Sequence, residues 1–545
     1  MKNISHSLLF WLFLIPVIYV CYLWAYAVNI PWMDDIDAFV DSFLLISDAT
    51  SLPDALAELI APNNEHRMIP SKVVNYLTTI SIGHLNFKLL IFLHNGLLLF
   101  LIYQFFTLRN SLPKIQPIYW LLFLLFLLTP QYHLTTNWSI TGWQTMTVLL
   151  FGFLTLKYLP SNQKNHLIYA LILGFITTNS YGNGPLIWFI GLIILLLQKR
   201  WKTSIIWSIS AILAISLYFF RHTTGRNSEA FAYFKTHIGE SIQFFFVFIG
   251  SNGDWFKHLP EHQRSLFPFI WGIFLVALFG IGCFFFSKKY LLKKENIASA
   301  EWTLWGFLLL LFANAVLVAS LRANLGFEVM VVSNYRVYSA FMLATLTLWL
   351  NSLLPLSTRK TTRYVLLIVA IIFYFASWNL SIPELRTRKQ FLQAHAYNQQ
   401  FNGVGLGALN NSPFYSYLQE KIGEVIKRGV YSYPSYFPTD LQKQFSSAQP
   451  SPAISWNEND RRVSTDVPNA DACYFIFYSD KQLYLIPTKQ IYQPRYTFFT
   501  TSTQTYQAEL LPTFFTKNTY QLGLLIEKDG QHTVLASHQK VRIGF

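Results

Sequence analysis

Runs of apolar residues, separated by short polar turns, fill roughly the first 380 positions of the chain. Stretches such as LLLFLIYQFF, WLLFLLFLL, LIWFIGLIILLL and VLLIVAIIFYF show neither the two-residue alternation of a half-buried strand nor a helix with one wet face. About 20 such residues are needed to cross the hydrocarbon core of a bilayer. On that scale the pattern predicts about eleven membrane helices, near 8–30, 87–108, 115–129, 143–159, 166–179, 184–198, 203–220, 267–287, 302–321, 335–355 and 364–381. The first run is too long for a signal peptide and has no small-residue cleavage site, so it is expected to stay as an anchor with its N-terminus inside. Several middle runs are short for a full crossing. They predict a bundle indented on its outer side, with QYHLTTNWSITGWQ and NSYGNGP sinking below the membrane surface. The apolar stretch 241–250 is too short to cross and is expected at the outer interface.

The pattern changes near residue 382. Residues 382–469 are expected to be a helical segment and linker, with PELRTRKQFLQAHAYNQQF and SPFYSYLQEKIGEVIKRG as two amphipathic pieces and 430–470 as a loop. From 470 to 545 the period shortens to two, and KDGQ between two alternating runs signals a hairpin. A small β-sandwich of about six to seven strands is expected there, making an α+β segment outside the membrane. The fold class is thus a polytopic α-helical membrane protein, with a transmembrane module over 1–381, a long first outer loop over 31–86 and a C-terminal extracytoplasmic domain.

Composition agrees with that pattern. Of 545 residues, 53% are hydrophobic and only 12% charged, about half the charge of a soluble protein. A net charge of +14 could suggest nucleic acid. Its placement argues otherwise, because the excess falls in the turns holding Arg109/Lys114, Lys157/Lys164, Lys199/Arg200/Lys202, Lys288/Lys289/Lys293/Lys294 and Arg359/Lys360/Arg363. Alternate turns rich in Lys and Arg are the positive-inside signature, so no nucleic-acid partner is expected. The three cysteines, Cys21, Cys283 and Cys473, suggest no disulfide framework.

The first outer loop carries the candidate chemistry. Asp34, Asp35, Asp37 and Asp41 crowd the exit of the first helix, where the helix dipole disfavours anions. An Asp there could simply cap a short surface helix. A second cluster follows: Asn64, Glu65, His66 and Arg67. Asp34, Asp35 and Glu65 could instead hold a divalent cation, Mg or Mn, through hard oxygen ligands. Among the outer arginines Arg67, Arg221, Arg322 and Arg336, the last, beside Tyr335 at the start of a span, is placed at headgroup depth, where it would either bind phosphate or snorkel. Asn137, Trp138, Trp143 and Gln144, with Tyr181 and Asn183, have the polar-aromatic character of sugar contacts, although interface aromatics ordinarily form a belt. Gly182 and Gly184 mark a tight turn, not a phosphate loop. The 13 histidines show no metal-ligand spacing.

An N-in first helix, the acidic pair Asp34–Asp35 at its outer end, NNEHR at 63–67, many short helices and an outer C-terminal domain together resemble the GT-C superfamily of integral-membrane glycosyltransferases. The resemblance covers about residues 1–380. It implies a bacterial inner-membrane enzyme that moves one sugar from a polyprenyl-phosphate donor to a glycan, lipid or protein acceptor outside the cytoplasm. Asp34 or Asp35 would be the base, Glu65 a second acid or metal ligand, and Arg336 with Arg67, assisted by His66, Tyr335 and Asn64, the substrate-binding set. A ligase or polymerase using a polyprenyl-diphosphate donor, and a lipid or sugar transporter, are the alternatives.

Overall fold

A computed structural model describes residues 6–64, 66–112, 115–220, 227–292, 297–353, 359–408, 412–468, 470–495, 499–511 and 514–543. Among these, eight helices are long and apolar enough to cross a membrane: Leu8–Tyr26, Phe87–Asn110, Pro117–Thr136, Ser139–Tyr158, Trp201–Phe219, Glu261–Tyr290, Ser299–Leu325 and Arg363–Asn402. The other three expected spans fall on the helices Lys164–Thr178, Leu186–Leu197 and Arg336–Leu353. At about 1.5 Å per residue they reach roughly 18–27 Å, short of a core of about 30 Å.

The chain forms two compact units. One comprises 1–25, 52–74 and 91–378; the other comprises 26–51, 75–90 and 379–545. The first outer loop is therefore divided, its ends belonging with the C-terminal segment and its middle with the helices.

In the helical unit, Pro117–Leu127 and Ser139–Tyr158 are the most enclosed, with every residue from Tyr119 to Leu127 buried. Leu8–Tyr26, Trp201–Phe219 and Glu261–Tyr290 bury only 22% of their most apolar stretch. They turn Phe13, Trp24, Ile209, Ile212 and Phe284 outward. Apolar surface on that scale is stable against lipid and costly against water. The turn after Thr129 is buried, and several of its polar groups find partners inside. The Tyr22 hydroxyl meets Thr136 Oγ1 at 2.6 Å, Thr135 Oγ1 donates to the Asn334 carbonyl at 2.9 Å, and Ser333 Oγ accepts from Leu134 N–H at 3.1 Å.

Residues 241–250 fall on the helix Ile238–Ile249, which packs backbone to backbone against Leu266–Ser287. A Cβ at Gly272 would overlap the Phe246 carbonyl, and one at Gly250 the Pro268 carbonyl. Gly272→Ala should lower the unfolding midpoint in detergent, by the roughly 1–3 kcal/mol that overpacking costs. Gly280→Ala, on the same helix at a position where a Cβ meets open space, should keep it or raise it, by up to about 1 kcal/mol, the helix preference for Ala over Gly. Equal midpoints for the two variants would mean that the helices are not this close.

In the second unit, the first amphipathic piece is not a separate helix. It continues the membrane-length helix through Pro383 to Asn402, a single run of 44 residues. Proline costs one helix bond, and that cost is offset by burial of Leu385, Leu392, Ala394 and Tyr397 on the following turns. The second piece is the helix Pro413–Lys427. It starts at proline, and Ser412 Oγ accepts from Tyr415 N–H at 3.1 Å.

The strand region starts earlier than its expected boundary at 470. Among the described residues nine strands run from β1 (Gln449–Pro450), β2 (Ile454–Asn457) and β3 (Arg462–Asp466) through β4 (Ala472–Tyr478), β5 (Leu483–Pro487) and β6 (Lys489–Arg495) to β7 (Phe499–Glu509), β8 (Asn518–Lys528) and β9 (Gln531–Ile543). They make two sheets, ordered β1-β9-β8-β4-β5 and β2-β3-β7-β6. Val463, Phe475, Phe477, Tyr506, Tyr520 and Leu522 share the core between them. A second core, with Ala394, Tyr397, Phe437, Leu441, Phe445, Tyr474, Ile476 and Leu485, joins helical residues to the other face of the five-stranded sheet. That second cover explains why β4 is apolar on both faces. The KDGQ hairpin joins β8 to β9, with Asp529 at φ 51° and Gly530 at φ 74°, the two left-handed residues a tight hairpin turn needs.

Candidate functional site

The loop entering the helical unit at 61–68 is fixed by backbone geometry. Asn63 N–H donates to the His66 carbonyl at 2.8 Å and His66 N–H to the Asn63 carbonyl at 2.9 Å. This narrow turn puts Asn64 at φ 48°, a conformation asparagine tolerates better than most residues. Glu65 lies outside the described residues, as does Arg221. The turn delivers His66, whose ring meets Tyr181 edge-on at 4.4 Å between centroids. The imidazole occupies the space a Cβ at Gly182 would take. Gly184 is equally constrained, because a Cβ there would collide with the Thr177 carbonyl. The tight turn read from YGNGP therefore also makes room for His66.

His66, Tyr181, Gly182 and Asn183 line one wall of a cavity of about 210 Å³. Tyr218, Phe219, Asn314, Leu317, Val318, Leu321, Arg322, Tyr335 and Tyr338 complete it. Asn183 Nδ2 donates to Asn314 Oδ1 at 2.7 Å and to the Tyr338 hydroxyl at 3.1 Å. The cavity thus combines a guanidinium, an imidazole, phenols and amides with an aliphatic wall, a lining suited to an amphiphile with an anionic or hydroxylated head.

Two arginines expected to bind phosphate are engaged elsewhere. Arg336 is buried. Its NH2 donates to Asp254 Oδ2 at 2.6 Å and its Nε to the Val331 carbonyl at 2.7 Å. Asp254 also receives both Nε and NH2 of Arg264 at 2.7 Å. Burial pushes the Asp254 carboxyl up, but Arg264 and Arg336 outweigh it and hold the group below the ordinary carboxylate range. Arg67 is tied to the backbone: Nε donates to the Tyr218 carbonyl at 2.7 Å, and the two terminal nitrogens to the carbonyls of Ile60 and Phe220. Neither arginine lines the cavity, whereas Arg322 and Tyr335 do.

The polar-aromatic residues divide similarly. Tyr181 and Asn183 face the cavity. Asn137 and Trp143 are buried; Asn137 Nδ2 donates to the Tyr22 hydroxyl, and Gln144 Nε2 to Met68 Sδ at 2.7 Å. Neither Asn137, Trp138, Trp143 nor Gln144 lines the cavity. Asn314 escaped the sequence reading although a polar residue inside an apolar run is a functional signal. Tyr338 and Asp254 carried no comparable mark.

In the second unit, the four clustered aspartates have four different surroundings. Asp35 is buried, accepts Trp32 N–H at 3.0 Å and feels the positive charge of Arg388. It does not cap the following helical turn. Asp37 and Asp41 receive the Tyr417 hydroxyl at 3.2 and 2.9 Å, and Lys421 Nζ lies 3.1 Å from Asp41. Asp34 keeps an exposed edge. Desolvation by the surrounding protein, with Asp37 nearby, raises its carboxyl above the ordinary range. Among the described residues no three His, Cys, Asp or Glu side chains group as metal ligands. Asp35 accepts Trp32 N–H through Oδ2, and Glu65, the third expected oxygen ligand, lies outside the described residues.

No protein-family model, curated protein or solved structure matches the chain.

Proposed function

We propose that the protein is a membrane glycosyltransferase that moves a single sugar from a polyprenyl-phosphate donor to a glycan, lipid or protein acceptor. The cavity of the helical unit carries this reading. It holds a guanidinium for a phosphate and amides and phenols for sugar hydroxyls, with an aliphatic wall for the start of a lipid chain. Among the described lining residues Arg322 is the one side chain with a permanent positive charge. One such group suits one phosphate better than two, which favours a monophosphate donor over the diphosphate donor of a ligase or polymerase. The lipid-facing helices support placement in a bilayer, and the basic turns support a bacterial inner membrane with the N-terminus in the cytoplasm and the C-terminal domain in the periplasm.

The roles within the expected set are then redistributed. Arg322, not Arg336 or Arg67, binds the phosphate, with His66 and Tyr335 beside it. Asp34, accessible and with its carboxyl raised above the ordinary range, is the member of the acidic pair that suits the role of base the resemblance implies. Asp35 keeps the fold.

The test is mass spectrometry of surface glycans from a deletion strain complemented with wild type or Arg322→Gln, followed by transfer kinetics in membranes. Deletion should remove one sugar mass and wild type restore it. Loss of a charge-assisted hydrogen bond worth about 1.5–3 kcal/mol should lower kcat/KM roughly 10–100-fold in Arg322→Gln. An unchanged glycan profile on deletion would move the assignment towards transport.

A further inference from the structure

The helix Leu52–Ile60 buries none of its residues. Leu52, Leu56 and Ile60 recur every four positions along one side and are exposed. Asp54 and Glu58 fall on the opposite side. A nine-residue helix with a bare apolar stripe is unstable in water alone, yet its last turn is firmly held. Lys72 Nζ donates to the carbonyls of Glu58 and Ala61 at 3.1 and 2.8 Å, and Arg67 donates to that of Ile60. These are the carbonyls a helix end leaves without internal partners.

The same Arg67 guanidinium grips the carbonyls of Tyr218 and Phe220, at the end of the membrane-length helix Trp201–Phe219. One side chain therefore fastens the end of the amphipathic helix to the point where a membrane helix finishes. On the reading of the long helices as membrane-spanning, on which this inference rests, that point is the bilayer surface.

We infer that the helix Leu52–Ile60 lies in the lipid interface, with Leu52, Leu56 and Ile60 in the acyl boundary and Asp54 and Glu58 in water. Lipid is the occupant the geometry selects. Three side chains cover far less than the roughly 1,200 Å² that a stable protein partner needs, whereas an interfacial helix requires only an apolar stripe and a wet face. The consequence reaches the cavity. Arg67 follows His66 directly, so seating this helix in lipid fixes the depth of the loop that carries His66 into the cavity wall. The head of an amphiphile in that cavity would then be read at the level of the lipid headgroups.

Spin labels test this in lipid nanodiscs. Single cysteines replace Leu56, Asp54 or Ile212 in full-length protein whose Cys21, Cys283 and Cys473 have been changed to Ala. Relaxation by oxygen, which concentrates in lipid, is compared with relaxation by a water-soluble nickel chelate. The ratio of oxygen to nickel effect should be several-fold higher at position 56 than at position 54, and should match that at 212 on the outward face of Trp201–Phe219. Nickel accessibility at 56 equal to that at 54 would place the helix in water and overturn the inference. Protection of 56 from both reagents would mean protein cover and would overturn it as well. If 212 also responds to nickel as position 54 does, the membrane-spanning reading fails, and the inference with it.

Discussion

An Asp34→Asn protein should reach the membrane at the wild-type level and transfer sugar roughly 10²–10⁴-fold more slowly, the usual contribution of a general base. Its folding should survive because of the direction in which the Asp34 carboxyl is shifted. Desolvation, with Asp37 nearby, makes the folded protein hold this proton more tightly than the unfolded chain does. An acid raised in this way weakens the fold as pH climbs through its ionisation, so removing its charge at neutral pH relieves the folded state. The neighbouring substitution should behave in the opposite manner. Asp35→Asn leaves the half-buried Arg388, whose Nε and NH2 are shielded from solvent, without the charge it faces and should reduce the amount of folded protein. Activity per folded molecule is the quantity to compare, by transfer assay normalised to detergent-extracted monodisperse protein. Wild-type turnover in Asp34→Asn would remove Asp34 from the chemistry. A further check comes from pH: the acid limb of kcat/KM should lie above the ordinary Asp value of about 3.9, because the raised carboxyl must lose its proton to act.

Asp254→Ala should be the most destabilising single change in the helical unit, costing about 3–5 kcal/mol. Removing this carboxylate strands Arg336, which is buried and otherwise bonded to a backbone carbonyl, and takes the main partner from Arg264. Arg264 keeps Glu328 at 2.5 Å, an exposed acid that compensates little. The wild type should also lose this contribution in acid. Since the folded Asp254 carboxyl lies below its unfolded value, its stabilisation is complete above roughly pH 4 and disappears as pH falls through the depressed value. Thermal unfolding in detergent from pH 7 to pH 3, with Asp254→Ala as reference, measures both. A loss under about 1 kcal/mol at neutral pH would show that the arginines find other partners.

Much of this architecture was legible because lipid and sheet impose strong local periods. A bilayer demands long apolar runs, and each expected span falls on a helix. The hairpin at Asp529–Gly530 was legible because two successive left-handed residues need that chemistry. What stayed hidden depends on partners distant in the chain. Arg336 beside Tyr335 looked like a phosphate ligand at headgroup depth, and no local feature marks Asp254, 82 positions earlier, as its counter-ion. Asp34 and Asp35 are equivalent in composition and differ only in which way each projects from the turn after Trp32. The strands β2 and β3 were missed because SWNENDRRVSTD is too polar to show alternation, being stabilised by pairing with each other and with β7. Asn314 was legible in principle as a polar residue inside an apolar run, and of the residues the sequence singled out, His66, Tyr181, Asn183, Arg322 and Tyr335 line the cavity.

The strand order of the C-terminal sheet also sets a sequence in time. β1 pairs in parallel with β9, although β2 to β8 are made between them, and β9 covers one side of β8 along most of its length. As the chain leaves the ribosome, β1 must wait with its hydrogen-bonding edge open until nearly all the strands exist. β8 cannot be closed before residues 531–543 arrive. A chain stopped within that last hairpin would present two bare strand edges, the feature that drives strand proteins to aggregate. Arrival of β9 therefore seals the five-stranded sheet, because it is the strand that joins β1 to β8.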